Sequence, residues 1–155
     1  MSPLIEAKDL RFRWPGGFEL SLDSLQVASG ERVAICGPSG SGKSTLLSLI
    51  AGEVSVCSGQ LTVAGCPLHA SSERQRRLHR LQTTGWIFQD YPLVDHLNAH
   101  DNVLLPYRIH PALELDTGVR QRAHALLDRL ELPRAAHHRC PPALSQGEQQ
   151  RVAIA

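Results

Sequence analysis

Nine residues, GPSGSGKST at 37–45, constrain this chain more than any other stretch in it. They stand between a short, nearly continuous apolar run, RVAIC at 32–36, and an apolar helical pattern, KSTLLSLIA at 43–51, that stops at Gly52. The apolar run suits a central strand buried on both faces of a parallel sheet. The glycine after the last periodic residue is an ordinary helix end. A strand that turns through Gly37, Gly40 and Gly42 into a helix lets the backbone expose N–H groups without side-chain obstruction, at the positive end of the helix dipole. Such a turn is a cradle for phosphate. Gly37, Pro38, Ser39, Gly40, Ser41, Gly42, Lys43, Ser44 and Thr45 are therefore the first candidate binding residues. Lys43 is suited to the β- and γ-phosphates of a nucleotide, and the Ser44 hydroxyl to Mg2+.

The rest of the chain changes character along its length. Residues 4–14 and 18–27 alternate as two strands joined by the turn PGG at 15–17. GQLTVAG at 59–65 reads as a further strand, SSERQRRLHRL at 71–81 as a helix, and TGWIFQ at 84–89 as a strand ending at Gln89. Residues 98–132 are helical in pattern, interrupted by Pro106 and Pro111. Val119, Ala123, Leu126, Leu127 and Leu130 fall on one helix face, and Pro133 forbids continuation. The expectation is an α/β nucleotide-binding core over residues 1–90 and a helical subdomain over 91–155.

Several function classes have little support. The net charge is +1 at pH 7, so no general polyanion-binding surface is indicated and no nucleic-acid partner is expected. Arg74, Arg76, Arg77 and Arg80 follow a capping-box start, Ser72 with Gln75, and read as a solvated helix face. No run of 18 apolar residues is present. The four cysteines are scattered, without CxxC pairs, and read as reduced thiols, some of them packed in the core. HHRC at 137–140 reads as a polar loop before a proline pair rather than a metal site.

The cradle alone does not separate a kinase from a GTPase, a helicase or a transport ATPase, but LSQGEQQRVAIA at 144–155 does. Ser145 and Glu148 form the S-x-x-E of a capping box, so a helix should open here, a second device for holding phosphate. The stretch resembles the signature of ATP-binding cassette proteins, whose common form is LSGGQ followed by a QRV-type helix. Residues 37–45 are similar to the Walker A motif of that family, Gln89 to its Q-loop glutamine, and Trp14 to the aromatic that stacks on adenine. Gln146 stands where the family usually has glycine, and Glu148 where it usually has glutamine; both departures imply weakened contact through Ser145 and Gly147. The spacing of Gln89, Leu93, Leu97, Ala99, Asn102, Val103, Leu105 and Pro106 is similar to that of lipoprotein-release and macrolide-export ATPases.

The resemblance implies a P-loop (RecA-like) α/β core with an N-terminal antiparallel β element and an inserted helical subdomain. It implies ATP and Mg2+ as cofactors, Ser44 and Gln89 at the metal, and Gln89 and Ser145 as catalytic groups, Ser145 acting on nucleotide held by a second copy. It further implies a cytoplasmic pair bound to a membrane permease at the inner face of the membrane. The magnesium-holding aspartate and water-polarising glutamate of the family would follow Ala155, so the chain is expected to be the front portion of a longer protein, its C-terminal part missing and inactive in hydrolysis alone. A soluble cassette ATPase unconnected with transport, or an ATP-binding module without turnover, is the alternative.

Overall fold

Ile5–Arg13 (β1) and Glu19–Val27 (β2) pair antiparallel in a register running from Ile5 opposite Val27 to Arg13 opposite Glu19. The computed structural model describes residues 3–155, divided into the units Met1–Gly85 and Trp86–Ala155. In the first unit, Ser58–Val63 (β3) and Cys66–Pro67 (β4) complete an antiparallel sheet of order β2-β1-β3-β4. The β1–β3 register slips by one residue between Lys8 and Arg11. Gly59 sits at this bulge with φ 89°, and a Cβ there would lie 2.2 Å from the Asp9 carbonyl oxygen. Only glycine fits such an approach. Around the bulge, Ala7, Leu10 and Phe12 all face the core, although strict alternation would put Ala7 and Leu10 on opposite faces.

Lys43–Ile50 (α1) lays Leu46 and Leu49 on that apolar face, in one cluster with Ala7, Leu10, Phe12, Leu61, Val63 and Leu68. Leu10, Leu49 and Leu61 are fully buried, each contributing about 1.5–3 kcal/mol by leaving water. Glu73–Thr83 (α2) opens on the expected capping box of Ser72 and Gln75 and buries none of its residues fully. Two of its arginines turn back onto the unit. Arg80 donates to the Gly52 carbonyl at 3.0 Å, just beyond the C-terminal end of α1, and Arg76 to the Ser71 carbonyl at 2.8 Å. A cation is favourable where a helix ends.

Two expected strands do not form. Residues 32–36 make no ladder, and Val33 and Ile35 are 50% and 36% exposed. Residues 84–89 are likewise unpaired, with Ile87 and Phe88 more than half exposed. A parallel strand exists only beside a partner that takes its N–H and C=O groups. Among the described residues every ladder is antiparallel and belongs to β1–β4. Cys36 and Cys57 are also exposed, while Cys66 packs against the core.

The second unit is helical: Ala99–Val103 (α3), Leu105–Ile109 (α4), Thr117–Arg129 (α5) and Gln146–Ile154 (α6). Pro106 stands in the first turn of α4 instead of breaking it, where a missing N–H costs nothing. Ala99, Leu127, Leu132, Ala136, Leu144 and Val152 form one core cluster; Leu104, Val119 and Ala123 form another. Leu126, expected on the buried face of α5, is 39% exposed. The face turns toward Val119, Ala123 and Leu127, whose i, i+4, i+8 spacing makes a stripe that excludes position 126. Asn102 pins the preceding loop to α3, accepting from the Val94 N–H at 2.7 Å and donating to the Leu97 and Asn98 carbonyls.

Candidate functional site

Gly42 is the N-cap of α1, with φ 93° and ψ 10°. A Cβ at Gly42 would lie 2.8 Å from Phe18 Cζ and 3.0 Å from Leu20 Cδ1, so both the backbone angle and the space demand glycine. The first α-helical bond of the turn runs from Leu46 N–H to the Gly42 carbonyl at 2.8 Å. The N–H groups before it have no partner within the helix and stay available to an anion. Lys43 Nζ donates to the Gly37 carbonyl at 2.8 Å and the Pro38 carbonyl at 2.7 Å, closing the loop into a ring around its own ammonium.

The tip of the β1–β2 hairpin supplies a wall. Trp14 N–H donates to the Phe18 carbonyl at 2.9 Å, and Gly17 N–H to the Trp14 carbonyl at 3.0 Å. Trp14 stands edge-on to Phe12, with centroids 5.0 Å apart and planes at 85°, and its Nε1–H donates to Thr45 Oγ1 at 3.1 Å. Trp14, Phe18, Ser39, Gly40, Gly42, Lys43, Ser44 and Thr45 together line an open cleft of about 300 Å³. Aromatic faces at one side and bare N–H groups with an ammonium at the other suit a molecule with a flat apolar part and an anionic tail. Phe18 escaped the sequence reading. The signal was present in the PGG turn, because a hairpin folded about residues 15–17 sets residue 18 across from residue 14.

Gln89 and the signature residues lie in the second unit. Gln89 is exposed in a turn. Ser145 is the N-cap of α6 in a complete capping box. Its hydroxyl accepts from Glu148 N–H at 3.3 Å and donates to Glu148 Oε2 at 2.8 Å, while its backbone N–H donates to the same oxygen at 2.7 Å. The backbone N–H first, and then the hydroxyl, hold the Glu148 carboxyl below its ordinary range. The carboxylate is thus folded back on the cap. Gln146 and Gly147 are exposed in the first turn.

A histidine stack in the same unit was also not foreseen. His100 and His124 lie face to face with centroids 3.8 Å apart, and His124 and His137 follow at 5.6 Å. His137, expected in a polar loop, is 3% exposed. Its Nε2 lies 3.2 Å from the Leu132 carbonyl, which can only accept, so Nε2 carries a proton there. His137 Nδ1 and His124 Nδ1 lie 3.3 Å apart, within hydrogen-bond distance. Burial first, and then the charges His100, His137 and His138 would carry, push the His124 pKa down, against a smaller upward pull from Asp128. Among the described residues no group of three histidine, cysteine or acidic side chains is placed to hold a metal ion.

The family described as ABC transporter matches residues 20–155, and the chain belongs to it. The fold is accordingly the mixed α/β, RecA-like P-loop fold with an N-terminal antiparallel sheet and a helical subdomain, and the chain is an ATP-binding domain of that family. It is 43% identical over 143 residues to the uncharacterized ABC transporter ATP-binding protein YbbA of Escherichia coli K12, a match covering 90% of this chain and 61% of that protein. It is 41% identical over 160 residues to the macrolide export ATP-binding/permease protein MacB of Shigella dysenteriae serotype 1, covering 100% of this chain and 24% of that one. The dimeric structure of the ATP-binding cassette MJ0796 bound to ADP and Pi superimposes with a TM-score of 0.82 at 30% identity, covering 97% of this chain and 67% of that chain.

Proposed function

We propose that this chain binds ATP with Mg2+ in the cleft between Trp14 and α1, as the ATP-binding part of a transporter that couples nucleotide binding and hydrolysis to a membrane permease. The observation that carries the reading is the cleft itself, in which an aromatic wall and a glycine-dependent helix N-terminus face one space. Trp14 and Phe18 take the base, the backbone of residues 39–45 and Lys43 take the phosphates, and the Ser44 hydroxyl takes the metal. The bound ion would neutralise phosphate charge; a single hydroxyl holds Mg2+ weakly, so the metal arrives with the nucleotide. The cleft lining contains no carboxylate. Hydrolysis belongs to the assembled transporter.

Ser145 and Gly147 serve nucleotide held by a second copy, a reading supported by the dimeric structures of MJ0796. The permease partner is supported by the combined ATP-binding/permease nature of MacB. No helix among the described residues is long and apolar enough to cross a membrane, and the proposed location is the cytoplasmic face of the permease. Isothermal titration of the chain with ATP and Mg2+ tests the nucleotide reading. Lys43→Ala should weaken binding about ten- to a hundred-fold, the worth of a charge-assisted hydrogen bond. Equal affinity in the variant would remove the cleft as the site.

A further inference from the structure

We infer that Trp14 is a positioning residue for phosphate, acting through the Thr45 hydroxyl, and not only an aromatic wall for the base. The inference rests on the nucleotide reading above. A threonine hydroxyl has one proton to donate and two lone pairs to accept with. Within a helix that proton usually goes to the carbonyl one turn back, and Thr83 in α2 does this, donating to the His79 carbonyl at 2.7 Å. Thr45 behaves differently. Among the described residues its one side-chain hydrogen bond is the indole's, at 3.1 Å, and in that bond Thr45 can only accept, because an indole nitrogen has no lone pair to offer.

The Thr45 proton is therefore unspent, and the indole fixes where it can go. With one lone pair occupied by Trp14 Nε1–H, the hydroxyl rotor loses the orientations that aim its proton at the ring. Thr45 lines the cleft, so the remaining orientations include the one that donates to an oxyanion held there. Lys43 stands in the cradle two residues before Thr45, and Thr45 is the one tied to the aromatic wall. Phenylalanine or tyrosine at position 14 would offer a comparable ring face but no N–H at this place.

Inorganic tripolyphosphate separates the two roles of Trp14, because it has phosphates and no base. Its affinity is measured by titration calorimetry for the wild-type chain, Trp14→Phe, Thr45→Val, Thr45→Ser and the Trp14→Phe/Thr45→Val double variant. Trp14→Phe should weaken tripolyphosphate about five-fold, the worth of one well-aimed hydrogen bond. Thr45→Val should weaken it at least as much, Thr45→Ser should recover most of that loss, and the double variant should be no worse than Thr45→Val alone. A wall residue that only stacks on the base would leave tripolyphosphate binding untouched in Trp14→Phe; that result, or additive losses in the double variant, overturns the inference while leaving ATP binding intact. If the wild-type chain binds neither ATP nor tripolyphosphate, the nucleotide reading itself falls and takes this one with it. Trp14→Phe unfolding would also depress binding, so the circular dichroism of each variant is compared, and a misfolded Trp14→Phe leaves the Thr45→Val and Thr45→Ser pair to decide: equal affinity in those two overturns the inference.

Discussion

Replacing Gly42 by alanine tests the cradle at its most constrained residue. The backbone there has φ 93°, a left-handed conformation that costs an L-residue about 1–2 kcal/mol. The added Cβ would lie 2.8 Å from Phe18 Cζ and 3.0 Å from Leu20 Cδ1, so the Phe18 ring must leave its rotamer, at about 0.5–1.5 kcal/mol. Reduced freedom of the unfolded chain returns about 0.4–1 kcal/mol. The net expectation is a loss of about 2 kcal/mol, and with a urea dependence of about 1–2 kcal/mol per molar the midpoint should fall by about 1–2 M. Gly16→Ala is the control, since nothing lies within 4 Å of a Cβ there and its φ is not positive. The chain has two tryptophans, one in each unit, so a Trp86→Phe background leaves Trp14 fluorescence as a local reporter of the first unit. Gly42→Ala and Gly16→Ala midpoints that coincide would refute the claim that the turn requires glycine.

The His124 pKa is pushed down in the fold, so the unfolded chain binds more protons below the ordinary histidine value. Stability from this group is full above about pH 6.5 and is lost as pH falls through the lower folded value. Melting temperatures between pH 7.5 and 5 should fall more steeply for wild type than for His124→Asn, and parallel slopes would sink the argument. Ser145→Ala should cost about 1 kcal/mol by removing the N-cap of α6, seen as faster hydrogen exchange at the Glu148 amide; unchanged exchange there would show that the cap does not hold the helix end. Leu127→Ala, at a fully buried position of the helical unit, should cost about 2–5 kcal/mol, and a loss under 1 kcal/mol in urea unfolding would mean that the site collapses without a cavity.

What could be read from the sequence was local. The turn at residues 37–45 is written in nine consecutive positions, because its glycines answer to their own φ and to the atoms beside them. The caps at Ser72 and Ser145 are likewise set by a pair three residues apart, and both form as expected. The hairpin about residues 15–17 and the end of α1 at Gly52 belong to the same class. Periodicity was a weaker guide. It put Leu126 on the buried side of α5, yet a narrow stripe through Val119, Ala123 and Leu127 satisfies that helix. It also made strands of residues 32–36 and 84–89, whose apolar character says what they would bury against but provides no partner for their backbone groups.

Tertiary structure decided whatever depends on two distant segments meeting. The bulge at Asp9 exists because the β3 backbone comes within contact of it at Gly59, and that one-residue slip chooses which side chains of β1 face α1. The indole–hydroxyl bond joins residues 31 positions apart, and the histidine stack gathers α3, α5 and the loop after it. No window of sequence contains such pairs. A hydrogen bond or ring contact at fixed distance is a property of where two backbones lie, and that is set by the burial of Leu10, Leu49 and Leu61 in the first unit and Leu104 and Leu127 in the second.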